Sequence, residues 1–311
     1  MPILRLNARP TGLSLHGSPA PALPALRRAA AGTGPVMILI HGFKYDPDDA
    51  VCSPHVTIFG HGAHPRRANG AWLRPLGFGE KTSAEGLAIA FGWRARGDLG
   101  RASQSARVAG QHLVQVIRAL RSANPERPIH AITHSMGSEV IFEALHGLAA
   151  GDVDRIVTLT GATYASRAAA ALQTPAGRAA DLFNITSREN DVFDFLYERL
   201  TTPPVPGDGA MGAGVDLPNV VNIQLDCPRT LHILQRFGGH IALPRRRMCH
   251  WSSYTRPGAL QFYARALREP GTVPLTGLRA NLPPVLAPRW SRMFAPPRLS
   301  LSLPVVQKAA S

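Results

Sequence analysis

The residues with chemistry to offer converge on one short segment, Ile129-His130-Ala131-Ile132-Thr133-His134-Ser135-Met136-Gly137-Ser138. An apolar run leads straight into His-Ser-Met-Gly. Val140, Ile141, Ala144, Leu145 and Leu148 then follow at helical spacing. This order predicts a strand, a sharp turn with Ser135 at its apex, and a helix. Such a turn is crowded, so the residues two before and two after the serine must be small; Gly137 fits, and Thr133 stands where glycine is usual. The turn would expose Ser135 Oγ as a nucleophile and aim the positive end of the helix at the reaction centre. The Met136 N–H would then be one donor to a developing oxyanion. Read alone, the same serine could instead cap a helix. The segment Ile40-His41-Gly42-Phe43 shifts the balance, because a strand ending in His-Gly opens a loop whose Phe43 N–H would supply the second donor. His41 itself could simply pack or hydrogen-bond in that loop. The chemistry expected of these parts is acyl transfer through a covalent serine intermediate.

Positioning them requires a parallel sheet. Buried strands are expected at 36–40, 87–93, 129–133, 155–160, 181–186 and 220–225, with helical patterns between them. Helices are expected over 103–121, 136–149 and about 257–268, the last with Pro257 in its first turn. The Gly/Pro-rich stretch 201–219 reads as a long loop and a candidate to face substrate. Residues 1–35 read as a Pro/Ala-rich extension, 36–269 as the domain, and 270–311 as a Pro-rich basic tail. Both flanks are expected to be dispensable for activity on a soluble substrate.

With Ile40-His41-Gly42, then Phe91-Gly92-Trp93-Arg94-Ala95-Arg96-Gly97, then His134-Ser135-Met136-Gly137, the chain resembles an α/β-hydrolase of the bacterial esterase/lipase type. The similarity spans roughly 36–267, and Arg94 stands where such proteins often have proline. The resemblance implies an α/β-hydrolase fold, a mostly parallel central sheet with helices on both faces. It implies the order serine, acid, histidine, with the acid after a late strand and the histidine before the last helix. Within Ser187-Arg188-Glu189-Asn190-Asp191-Val192-Phe193-Asp194, Asp191 matches that acid best. Glu189 and Asp194 are the fallbacks, although Asp194 could cap the following helix. For the base, His250 stands where the family keeps its histidine, and His240 after Gly238-Gly239 is the alternative. His134 occupies the variable position of the turn and is expected to pack.

Composition bounds the rest. A chain of 311 residues with 45% hydrophobic residues can bury a sizeable core. Gly and Pro together make up about 18% of it, loop-rich but short of disorder. No apolar run reaches the ~20 residues of a membrane span, and no leader-like apolar core opens the chain. Cys52, Cys227 and Cys249 cannot all pair and share no metal spacing, so a reducing, cytoplasmic setting is expected. His55, His61 and His64 lie in a Gly/Pro-rich stretch without the partners of a zinc site, so no metal or other cofactor is expected. The net charge of +14 invites a nucleic-acid reading. Nine of those charges sit in the acid-free flanks, and no Arg/aromatic interleaving appears, so no nucleic-acid partner is expected and a solvated basic surface, with at most weak contact to anionic membrane surfaces through the flanks, is the preferred reading.

Together these features imply a serine hydrolase of small carboxylic esters. Ser135, Asp191 and His250 would form the triad, with Phe43 and Met136 as oxyanion donors. Acyl transfer to another acceptor and a non-catalytic binding protein on the same fold are the alternatives.

Overall fold

In the computed structural model, which describes residues 3–60, 71–80, 82 and 85–294, eight strands form one sheet. They are β1 (Ile3–Arg9), β2 (Gly12–Leu15), β3 (Val36–Ile40), β4 (Leu87–Trp93), β5 (Ile129–His134), β6 (Arg155–Leu159), β7 (Asp181–Thr186) and β8 (Val220–Gln224). Their order across the sheet is β2-β1-β4-β3-β5-β6-β7-β8, and every neighbouring pair is parallel except β1–β2. The mostly parallel sheet that the resemblance implied is present, and the six strands expected from apolar runs all belong to it.

Side chains alternate between two cores, as the period of a strand requires. Val36, Ile38 and Ile40 of β3 face one core, with α1 (Ala22–Ala30), α2 (Leu99–Ala123), α3 (Gly137–Leu145), α4 (Ala165–Leu172) and α5 (Pro175–Ala179). Met37 and Leu39 face the other, which is not filled from the next helix, α6 (Asp191–Leu200). It takes apolar side chains from α7 (Pro228–Gln235), α8 (Ser252–Thr255), α9 (Ala259–Arg268) and α10 (Leu275–Asn281). Because both faces are covered, β3, β4 and β5 are buried along their whole length.

The flanks differ from the sequence expectation. Residues 1–35 are not a structureless extension. β1 pairs with β4 from Ile3↔Ala88 to Ala8↔Trp93, and α1 buries Ala22, Leu26 and Ala30. The apolar signal of β1 is weak, since only Leu6, Asn7 and Ala8 of it are fully buried, and a polar residue sits among them. The flank after 270 also folds back. It forms α10, and residues 287–291 then bond to α6, to Arg188 in the turn after β7 and to the end of β8. Residues 295–311 lie outside the described residues. The helix expected from Pro257 begins at Ala259 because Gly258, at φ 84°, forms the turn before it. The 201–219 stretch turns inward rather than lying wholly in solvent: Met211 N–H bonds Thr163 O, and Asn184 Nδ2 bonds Met211 O.

Candidate active site

Parallel strands bring their C-terminal ends to one edge, and the loops that leave β3, β5 and β7 there carry the candidate residues. The turn after β5 is the one the spacing predicts. Ser135 has φ 53°, in the left-handed region that costs a non-glycine residue about 1–3 kcal/mol and persists only where the surroundings hold it. Three backbone bonds do so here: Ser135 N–H to Leu159 O at 3.1 Å, and Ser138 and Ala162 N–H to Ser135 O at 3.0 Å each. The steric demand at the turn is visible in its glycines. A Cβ on Gly137 would lie 2.6 Å from His41 O and 2.9 Å from Ile40 O, and one on Gly42 would lie 2.7 Å from Ser135 Cβ. The His-Gly loop is thus packed directly on the serine turn. Thr133, in the usual glycine position, fits by setting its hydroxyl 3.1 Å from Ser138 Oγ.

His41 holds that loop rather than the substrate. It is fully buried, its Nδ1 donates to Gly42 O at 2.9 Å, and its Nε2 accepts the Trp93 N–H at 3.0 Å. Trp93 Nε1 returns a bond to His41 O at 3.0 Å, and the two rings stack 5.5 Å apart. Burial pushes the imidazole down to about 3, so it stays neutral. The loop then turns at Lys44, φ 75°. Among the described residues neither the Phe43 N–H nor the Met136 N–H donates a hydrogen bond. Arg94 is exposed and lies 3.5 Å from Asp46.

His250 reaches this edge from the segment before α8. Its carbonyl accepts Thr160 Oγ1 at 3.2 Å and His134 Nε2 at 3.3 Å. Thr160 is itself left-handed, φ 43°, so two strained residues stand side by side at the ends of β5 and β6. The His250 ring packs 4.6 Å from His134 and 4.7 Å from Phe193. Burial, His134 and Lys44 hold its imidazole well below the usual histidine range, so it is neutral at pH 7. His134 packs as expected, edge-on to Tyr254 at 4.9 Å and lowered to about 4 by burial. His240, the alternative base, is exposed, and its carbonyl packs under Gly258.

The acid is where the structure corrects the sequence reading. Asp191 does not touch His250: its carboxylate accepts the Trp290 N–H from the C-terminal flank. His250 Nδ1 instead lies 2.7 Å from Asn190 Oδ1. The cause is local. Ser187 caps a 3-10 turn over Arg188–Asn190, which continues into α6, so side chains one residue apart point about 100° from each other. Asn190 faces the histidine, and Asp191 faces the returning flank. Glu189, one fallback, is paired with Arg256. Asp194, the other, is buried and accepts Asn190 Nδ2 at 2.9 Å. One backbone and one side-chain bond fix the facing segments, with Cys249 N–H donating to Glu189 O at 2.8 Å and Arg256 Nη1 to Leu225 O at 2.7 Å. Glu139 joins α3 to α6 by accepting Tyr197 OH at 2.7 Å. Asn190 was legible only as the neighbour of Asp191; an amide oxygen can hold an imidazole just as a carboxylate does.

Among the described residues no three His, Cys, Asp or Glu side chains converge as metal ligands. His55 Nε2 donates to Asn7 Oδ1 at 2.7 Å, and its ring lies 4.1 Å from His16. His61 and His64 lie outside the described residues. Cys52, Cys227 and Cys249 are free thiols. No described helix is long and apolar enough to cross a membrane.

Residues 26–165, which carry the His-Gly loop and the serine turn, match the family described as "Alpha/beta hydrolase of unknown function (DUF900)". No curated protein matches the chain. A mostly parallel eight-stranded sheet covered by helices on both faces, together with that match over 140 of the 311 residues, gives this chain an α/β-hydrolase fold.

Proposed function

We propose that this protein of α/β-hydrolase fold is a serine hydrolase of carboxylic esters, working through an acyl-enzyme with Ser135, His250 and Asn190 in the roles of nucleophile, base and orienting residue. The observation that carries the reading is the neutral His250, set against the serine turn with Nδ1 already given to Asn190 Oδ1. Nδ1 then carries the hydrogen, and Nε2 is the nitrogen left to take a proton.

In the proposed reaction Ser135 Oγ adds to the ester carbonyl as its proton passes to His250 Nε2. The tetrahedral oxyanion is held by Phe43 and Met136 N–H at the head of α3, where the helix dipole adds to them. Collapse expels the alcohol, which takes the proton back from His250, and water repeats the sequence to release the acid. Asn190 orients the ring and accepts from the imidazolium without taking its proton. Phe193, stacked on His250, and the exposed Trp251, whose ring lies 6.3 Å from that of Phe193, set apolar rings beside the base that would suit an acyl or alkyl group.

Fluorophosphonate labelling, followed by turnover of chromogenic esters of increasing acyl length, tests this reading. Labelling at Ser135 and release of the chromophore support it. A protein that labels nowhere and turns over no ester is a binding protein on a hydrolase fold, and the proposal fails.

A further inference from the structure

The orienting residue proposed above is an amide, and an amide is ambiguous. Asn190 can offer His250 either its oxygen or its NH₂. The two choices demand opposite tautomers of the ring: an accepting Oδ1 keeps the hydrogen on Nδ1 and frees Nε2, whereas a donating Nδ2 puts the hydrogen on Nε2 and leaves no base for Ser135. Something must decide between them, and one group touches the far end of the amide. Asp194 Oδ1 lies 2.9 Å from Asn190 Nδ2, one helical turn on along α6. An ionised carboxylate only accepts, so its position forces the NH₂ toward itself and the oxygen toward His250.

We infer that Asp194 is a positioning residue for the base, acting through Asn190 to fix which ring nitrogen of His250 carries the hydrogen. The inference rests on the hydrolase reading only for its consequence in rate; the tautomer itself is set by the contacts. The carboxylate is locked in turn. Asp194 is buried, and the backbone of Gly212 lies so close to Oδ2 that a Cβ there would overlap it. A cavity of about 210 Å³ opens beside it, lined by Thr186 and Gln224 of β7 and β8, by Arg188, and by Arg289 of the C-terminal flank. The Thr186 hydroxyl is buried there without a partner among the described residues, so the cavity is polar enough to hold water at the carboxylate.

The lock is sensitive to pH. Burial pushes Asp194 up to about 7, Asp191 and Glu198 on its own helix raise it further, and Arg289 and the Asn190 bond oppose them. Above that value the carboxylate is ionised and the amide is fixed. Below it, a carboxylic acid can donate as well as accept, and the amide is free to turn.

The test reads tautomer and reactivity separately in the full-length protein. Nitrogen NMR on ¹⁵N-histidine protein, with His250 assigned by its loss in His250→Gln, gives the tautomer. The rate of fluorophosphonate labelling between pH 5.5 and 8.5 gives the reactivity. Wild type is expected to hold the hydrogen on Nδ1 and to label faster as pH rises through about 7. Asp194→Ala should mix the tautomers and slow labelling by about twofold or more, in proportion to the fraction of rings that carry the hydrogen on Nε2. Asp194→Asn can donate as well as accept at every pH, so it should mix the tautomers like the protonated acid and lose the inflection near 7. If Asp194→Ala fails to fold, Asp194→Asn carries the test alone. An unchanged tautomer in Asp194→Ala, or an inflection that survives in Asp194→Asn, overturns the inference. Absence of labelling in wild type with the tautomer responding as expected overturns the hydrolase reading instead and leaves this one standing.

Discussion

Asn190 Oδ1 stands 2.7 Å from His250 Nδ1, on a turn whose next residue, Asp191, points away to the Trp290 N–H. One helical step thus exchanges an expected carboxylate for an amide. Asn190→Ala should therefore lower ester turnover by ~10²–10⁴-fold with the fold intact, while Asp191→Asn changes it by less than about tenfold. Steady-state kinetics of the two purified variants decide this. A dead Asp191→Asn beside an active Asn190→Ala would return the acid to Asp191.

The left-handed Ser135 at the head of α3 is the proposed nucleophile. Ser135→Ala should abolish fluorophosphonate labelling and cut turnover by at least ~10³-fold, the residue left being what binding and the oxyanion donors supply. Intact protein mass spectrometry after labelling is the check. A full adduct on the variant would remove Ser135 from its role.

Gly137 is required by the backbone above it. A Cβ at that position meets His41 O at 2.6 Å and Ile40 O at 2.9 Å, and neither carbonyl can yield without disturbing β3. Gly137→Ala should cost about 1–3 kcal/mol of stability and separate the His-Gly loop from the serine turn. A urea midpoint equal to that of the wild type would contradict the packing described.

Acid should destabilise the fold early. His41 is lowered to about 3, His55 to about 2, and His130 and His134 to about 4, with His250 also well below 6.5; burial is the first cause in each. The unfolded chain binds these protons near pH 6.5 and the folded one does not, so stability present above 6.5 is lost as pH falls toward 4. Each group contributes up to about 1.4 kcal/mol per pH unit in that window. Asp194, raised to about 7, and Asp181 and Asp191, both raised by burial, work in the opposite direction but are three groups against five. Denaturant midpoints at pH 7.5, 6 and 5 should fall steadily. A flat series would mean that the imidazoles admit water and protons.

The C-terminal flank is part of the site's support. Arg289 makes two bonds to Glu198, at 2.8 and 2.7 Å, Ser291 Oγ accepts Arg188 Nη1 at 2.9 Å, and Ala287 N–H donates to Gln224 at 2.8 Å. Truncation after Pro283 should therefore expose Asp191 and Asp194 and reduce turnover by about tenfold or more, contrary to the expectation that the flank is dispensable. Trimming only 296–311 should leave turnover unchanged. Full activity in the longer truncation would show that the flank merely rests on α6.

What the sequence determined by itself is the local chemistry of β5 and α3 and the architecture around them. A continuous apolar strand, a serine between His134 and Met136, and Gly137 two residues on are a steric specification, because only that order turns a parallel strand into a helix within one strained residue. The same local logic placed His41-Gly42 and the six central strands, each long and apolar enough to be buried on both faces. Two things needed the tertiary structure. β1 declares itself only by pairing with β4, since its burial comes from the sheet and not from its own weak pattern. The choice among Glu189, Asn190, Asp191 and Asp194 depends on where a 3-10 turn hands over to α6 and on what packs around it. Each of the four has a partner from a distant segment or from one turn along: Arg256 for Glu189, His250 for Asn190, Trp290 for Asp191, and the Asn190 amide for Asp194. A rotation of about 100° per residue decides which of them meets the imidazole, and the long-range packing that sets that rotation is not encoded at any one position.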